Sequence, residues 1–115
     1  MSEQISAESF DSQLDAVSNV ERRRLLLALL DATRNGETPI DASAIESDAD
    51  QRTLEMQMTH AHLPRLEAAG YVDRRRESGS DRGQYLVSEG PRFDGIRPFL
   101  ELLEANRELL PNDLH

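Results

Sequence analysis

Apolar residues recur at helical spacing over most of this chain, and two short stretches read instead as strands. Phe10, Leu14 and Val17, spaced four and three apart, predict a short amphipathic helix over about 10–17. Ser18 and Glu21 form an S-x-x-E pattern, the sign of a capping box, just ahead of the unbroken run Leu25 to Leu30. A helix over about 19–34 follows, apolar almost all round and therefore expected to be buried on most sides. Asn35-Gly36 is its stop. Thr38 to Asp41 reads as an extended linker, and Ala42, Ala44 and Ile45 suggest one or two helical turns over about 42–47. Leu54, Met58, Ala61, Leu66 and Ala69 keep helical spacing over about 50–69, with Asp48 or Asp50 as the cap and Gly70 as the end. Pro64 lies inside that segment and predicts a distortion around residues 60–64.

Two stretches, about 71–76 and 84–88, read as strands joined through Gly79 to Gly83. A last helix over about 92–109 carries Phe93, Ile96, Phe99, Leu100, Leu103 and Leu110 along one side, and Pro98 predicts that its regular part starts near residue 97. The pattern is mainly α with a small β-hairpin. At 115 residues it fits a single domain over 10–110, between a polar, flexible N-terminus (1–9) and a C-terminal tail (111–115).

Charge changes the picture. The chain carries 22 acidic and 13 basic residues for a net charge of −9, and every base is Arg. Acid excess, absence of Lys and a 4% aromatic content together resemble the proteins of salt-in halophilic archaea. In near-molar salt the Debye length is about 3 Å, so repulsion among surface acids is largely screened. An acidic, Arg-rich protein from a high-GC genome is the other source of such a composition. Without Cys there can be no disulfide, thiolate metal site or Cys nucleophile. No apolar run approaches the roughly 20 residues of a membrane span, and Met1 to Gln13 has neither the basic flank nor the apolar stretch of a signal peptide. A cytoplasmic protein is the expectation.

The run Asn19-Val20-Glu21-Arg22-Arg23-Arg24-Leu25-Leu26 resembles the entry to the second helix of ArsR-type regulators. His62-Leu63-Pro64-Arg65-Leu66-Glu67-Ala68-Ala69-Gly70-Tyr71-Val72 resembles their H-L-x-x-L-x-x-A-G-Y-V run, in which a recognition helix exits into a wing strand. With Pro after His-Leu, the run is similar to that of a haloarchaeal winged-helix family. The resemblance spans about residues 12–105 and implies a winged helix-turn-helix and a dimeric, DNA-binding transcriptional regulator.

Under that architecture, Gln51, Arg52 and Gln57 at the start of the 50–69 helix are candidates for base or phosphate contacts with double-stranded DNA. Arg74, Arg75, Arg76 and Arg82, flanking the hairpin tip, are candidates for phosphate or minor-groove contacts. Pairing with Asp73, Glu77 and Asp81 is the competing account of those four. Arg22, Arg23 and Arg24 oppose the dipole of the helix they begin, and a salt bridge to Asp15 or to the last helix would compensate. The apolar side of the last helix, with Phe10 and Leu14, is wide enough to predict a homodimer interface through Phe10, Leu14, Phe93, Ile96, Phe99, Leu100, Leu103 and Leu110.

His60 and His62 face different ways on a helix, so they form no chelating pair, and a partly buried, hydrogen-bonded histidine at a helix end is the expected outcome. No catalytic motif, cofactor motif or metal-ligand spacing is visible, and an enzyme is not expected. A second reading stays open: acids at the start of the 50–69 helix (Asp50, Glu55) also suit a winged-helix module that binds protein, not DNA.

Overall fold

The structure is a computed structural model that describes residues 2–74 and 85–111, with side chains described from Phe10 onward. It is mainly helical with one small sheet. Helix α1 spans Ser2–Val17, α2 spans Val20–Asn35, α3 Gln51–Gln57, α4 Leu63–Ala68 and α5 Phe93–Ala105. Strands β1 (Ile40–Asp41), β2 (Val72–Arg74) and β3 (Leu86–Glu89) form an antiparallel sheet in the order β1-β3-β2.

The core is built around α2. Leu25, Leu26, Leu29 and Leu30 are fully buried, while Leu27 and Ala28 are half-buried, so the helix is covered on most sides as its composition demands. It packs on α1, α5 and β3. Leu54, Met58, Leu63 and Leu66 close the core from α3–α4, Val72 and Val87 from the sheet, and Phe93, Ile96 and Leu100 from α5. Each such side chain contributes roughly 1.5–3 kcal/mol of apolar burial.

Helix boundaries follow local chemistry. The N-cap of α2 is Asn19, whose side-chain oxygen accepts from the backbone N–H groups of Glu21 and Arg22 at 2.9 and 3.1 Å. The capping box expected of Ser18 and Glu21 is not formed. Ser18 instead donates to the Asp15 carbonyl at 2.7 Å, and the Glu21 carboxylate turns inward. Gly36 ends α2 in the left-handed region (φ 69°), where its lack of a Cβ avoids strain. Helix α1 begins at Ser2, earlier than the pattern of large apolar residues suggests.

The expected helix at 42–47 is a single 3₁₀ turn, Ala42–Ala44, capped by Asp41. Ahead of it, the expected linker contributes β1, whose Ile40 and Asp41 pair with Val87 and Leu86 of β3. Two residues are too few for a periodicity, which is why the third strand has no signature in the sequence.

The predicted distortion of the 50–69 helix is a π turn, Met58–His62, between α3 and α4. Pro64 has no N–H, and its ring would collide with the carbonyl four residues back in an unbroken α-helix. Widening the previous turn, so that the Leu63 N–H reaches the Met58 carbonyl, lets the chain continue. Pro98 acts differently from expectation. Helix α5 is regular from Phe93 and ends at Ala105, with a separate 3₁₀ turn at Arg107–Leu109. The carbonyl that Pro98 fails to engage belongs to Asp94, an exposed residue whose backbone water can satisfy.

Candidate nucleic-acid interface

Helix α3 touches the body along one narrow edge. Its cap, Asp50, accepts from the Thr53 N–H at 2.8 Å, and that bond holds the Asp50 carboxyl below its ordinary pKa. Leu54 and Met58 are buried, whereas Gln51, Arg52, Thr53, Met56, Gln57 and His60 are exposed. The helix therefore stands proud of the surface. Arg52 makes no ion pair among the described residues, and the Gln57 side chain makes no hydrogen bond among them. Gln51 is less available than its position suggests, because its amide donates to the Ser43 carbonyl and to the Glu55 carboxylate, both at 3.0 Å. Exposed acids Glu46, Asp48 and Asp50 lie just ahead of the helix.

Arg74 does not reach outward. On β2 the side chains alternate, with Val72 buried and Asp73 exposed, so Arg74 shares the inner face with Val72. Its side chain is only 10% exposed and its guanidinium lies 3.8 Å from Glu67 at the end of α4. The expected contact of Arg74 with DNA is thus replaced by a structural one that ties α4 to the sheet. Arg75, Arg76 and Arg82 lie outside the described residues, as do the outer parts of the predicted strands.

The arginine triplet at the start of α2 serves the end of α1. Arg22 Nε donates to the Ala16 carbonyl and Nη2 to the Asp15 carbonyl, at 3.2 and 2.8 Å, and Arg23 donates to the Val17 carbonyl at 2.7 Å. These carbonyls are the orphan acceptors of a helix C-terminus, where cations are also favoured by the dipole. The charge that is unfavourable for α2 is therefore favourable for α1. Arg24 donates to the Glu46 carbonyl at 3.0 Å. The carboxylate of Asp15 pairs with Arg65 of α4, not with the triplet, and α5 is reached from α2 by Arg34, through Glu104 and Glu101.

His62 is hydrogen-bonded, as expected of a histidine at a helix end, and more deeply buried than the expected partial burial. Its Nε2 lies 3.1 Å from Glu21 Oε1 and its Nδ1 lies 3.4 Å from Arg22 Nη1. Glu21 Oε2 accepts in addition from the Ser47 hydroxyl. Burial pushes the His62 pKa below its ordinary value against the opposing pull of Glu21, with the Arg22 charge adding to the depression. Sequence spacing gave no sign of this cluster, because its members come from α2, the π turn and the loop ahead of α3.

The predicted dimer surface divides in two. Phe93, Ile96 and Leu100 are at most 1% exposed and belong to the core of the single chain, so their assignment to an interface is corrected. Phe99, Leu103 and Leu110 are half-buried, while Phe10 and Leu14 are exposed, with the Phe10 and Phe99 rings 6.1 Å apart. Leu102 and Leu109 are also exposed, at 60% and 83%.

Among the described residues no group of three or more His, Asp or Glu side chains is placed to hold a metal, and no helix is long and apolar enough to cross a membrane. Comparison with protein-family models, with curated proteins and with solved structures finds no match for this chain.

Proposed function

We propose that this chain is a winged helix-turn-helix protein that binds double-stranded DNA as a homodimer and regulates transcription in the cytoplasm. The element order supports the architecture. A buried helix (α2) leads through β1 and a short turn to α3–α4, then to an antiparallel strand pair, and β1 docks on the outer side of β3. The observation that carries the DNA reading is the exposure of α3, which keeps only Leu54 in the core and presents Arg52 and Gln57 unengaged among the described residues. A helix held by one edge can enter a major groove, and Arg and Gln are the side chains suited to base edges there. The 3₁₀ turn and the π turn are both departures from ideal helices, and both lie outside the exposed part of α3.

Dimerisation rests on the exposed apolar side chains Phe10, Leu14, Leu102 and Leu109, which a second copy would cover. In a symmetric dimer the two α3 helices would need to sit about one DNA turn apart, roughly 34 Å. In high salt, counterion release supplies little of the affinity, so hydrogen bonds and fit must supply more.

The test is fluorescence anisotropy of labelled duplexes across a salt series, followed by recovery of bound genomic fragments at the salt of the cell. Saturable binding that weakens in Arg52→Ala and Gln57→Ala supports the proposal. Absence of binding at every salt concentration overturns it. The acids Glu46, Asp48 and Asp50 at the mouth of α3, with Arg74 turned inward, favour the second reading, a winged-helix module for a protein partner. Under that reading α3 would still be the contact surface, but a basic protein would occupy it.

A further inference from the structure

The buried cluster at the base of the α3–α4 segment holds a titratable group in one protonation state. Glu21, Arg22 and His62 are each less than a tenth exposed. A guanidinium can only donate, so the His62 Nδ1 that faces Arg22 must accept. The ring proton is then on Nε2, where it donates to Glu21 Oε1. Only the neutral ring with its proton on Nε2 satisfies both contacts. A proton added at Nδ1 would turn the acceptor into a donor and set two cations against each other 3.4 Å apart.

The surrounding charges are Glu21 and Arg22 from α2, Arg65 from α4, and Asp15 from α1, whose carboxylate pairs with Arg65 and whose carbonyl takes Arg22. Ser47, ahead of α3, closes the set through Glu21. Two carboxylates and two guanidiniums balance in charge, and the neutral imidazole leaves that balance intact. The Arg22–His62 contact joins the π turn to the start of α2 and, through Arg22, to the end of α1.

We propose that His62 is a positioning residue whose neutral form clasps the α3–α4 segment to α1 and α2, and that its protonation opens the clasp, loosening the pose of α3 as pH falls. The inference concerns how α3 is held and stands apart from what α3 binds. The depressed pKa of His62 agrees with the geometry. A histidine with a native value below its ordinary 6.5 binds its proton more readily when the clasp is open. The stabilisation is therefore complete above about pH 6.5 and is lost as pH falls towards the native value.

The experiment uses the full chain. Long-range ¹H–¹⁵N correlation of the histidine rings reads the tautomer and the titration of His62. Amide exchange, corrected for its intrinsic pH dependence, compares residues 52–68 with α5. The expected result is an Nε2–H ring that titrates below the ordinary 6.5, with the opening of 52–68 rising by up to about tenfold per pH unit as pH falls and exceeding that of α5 throughout. His62→Gln offers an amide donor to Glu21 and a carbonyl acceptor to Arg22 without a titratable proton, and should keep exchange over 52–68 independent of pH. An Nδ1–H ring, titration at or above the ordinary 6.5, or equal pH dependence in wild type and His62→Gln would overturn the proposal. If His62→Gln does not fold, the ring titration and wild-type exchange decide by themselves.

Discussion

Replacing Gly90 by Ala tests the junction at which α4, the sheet and α5 meet. A Cβ at Gly90 would lie 2.4 Å from the Gly70 carbonyl oxygen and 2.8 Å from the Val72 nitrogen, both backbone atoms that cannot rotate away. Ordinary contact begins at 3.4 Å, so the two segments must part by about 1 Å (3.4 less 2.4). That separation breaks the Gly90 N–H to Tyr71 carbonyl bond, now 3.0 Å, and the Arg92 N–H to Gly70 carbonyl bond, now 2.8 Å. Two unmade backbone bonds beside buried Tyr71, Val72 and Phe93 cost roughly 2–4 kcal/mol together. For a domain of this size that lowers Tm by about 8–16 °C. Gly95 is the control. It lies in α5 with nothing within 4 Å of an added Cβ, so Gly95→Ala should stabilise by about 0.5 kcal/mol through the unfolded chain. Thermal melts of the two variants at matched salt give the comparison. A Gly90→Ala loss below about 1 kcal/mol, or equal losses in both variants, would refute the packing argument.

Asn19→Ala should cost about 1 kcal/mol in chemical denaturation by removing the cap of α2, whereas the same change at exposed Asn35 should cost much less. Arg52→Ala should weaken duplex binding by about 5–150-fold, and titrations at several salt concentrations should show a shallower salt slope if the contact is to phosphate. Leu102→Glu with Leu109→Glu should shift a dimer to monomer in sedimentation while leaving Tm of the monomer almost unchanged, since both side chains are exposed. Wild-type stability should rise with pH up to about 6.5 and the His62→Gln profile should be flatter, as read in denaturant titrations at stepped pH.

The sequence by itself determined what depends on near neighbours. The run Leu25–Leu30 could only be a buried helix, Gly36 could end it in the left-handed region, and Pro64 had to disturb the helix that contains it. The segments of the antiparallel pair β2–β3 were legible from their strand-forming residues and the turn residues Gly79 to Gly83 in the sequence, and the exposure of Arg52 and Gln57 from their place off the apolar face of Leu54 and Met58. Tertiary structure decided everything set by distance through space. Ile40–Asp41 became a strand because β3 offered a free edge. Phe93, Ile96 and Leu100 became core and not interface because α2 lay against their face of α5, while their neighbours Leu102 and Leu109 were left outside. Arg74 turned towards Glu67, and Arg22 and Arg23 turned to the open carbonyls of α1, because charged groups removed from water must find partners wherever packing brings them. Spacing along a chain fixes which face a residue occupies, and only the assembled fold fixes what that face meets.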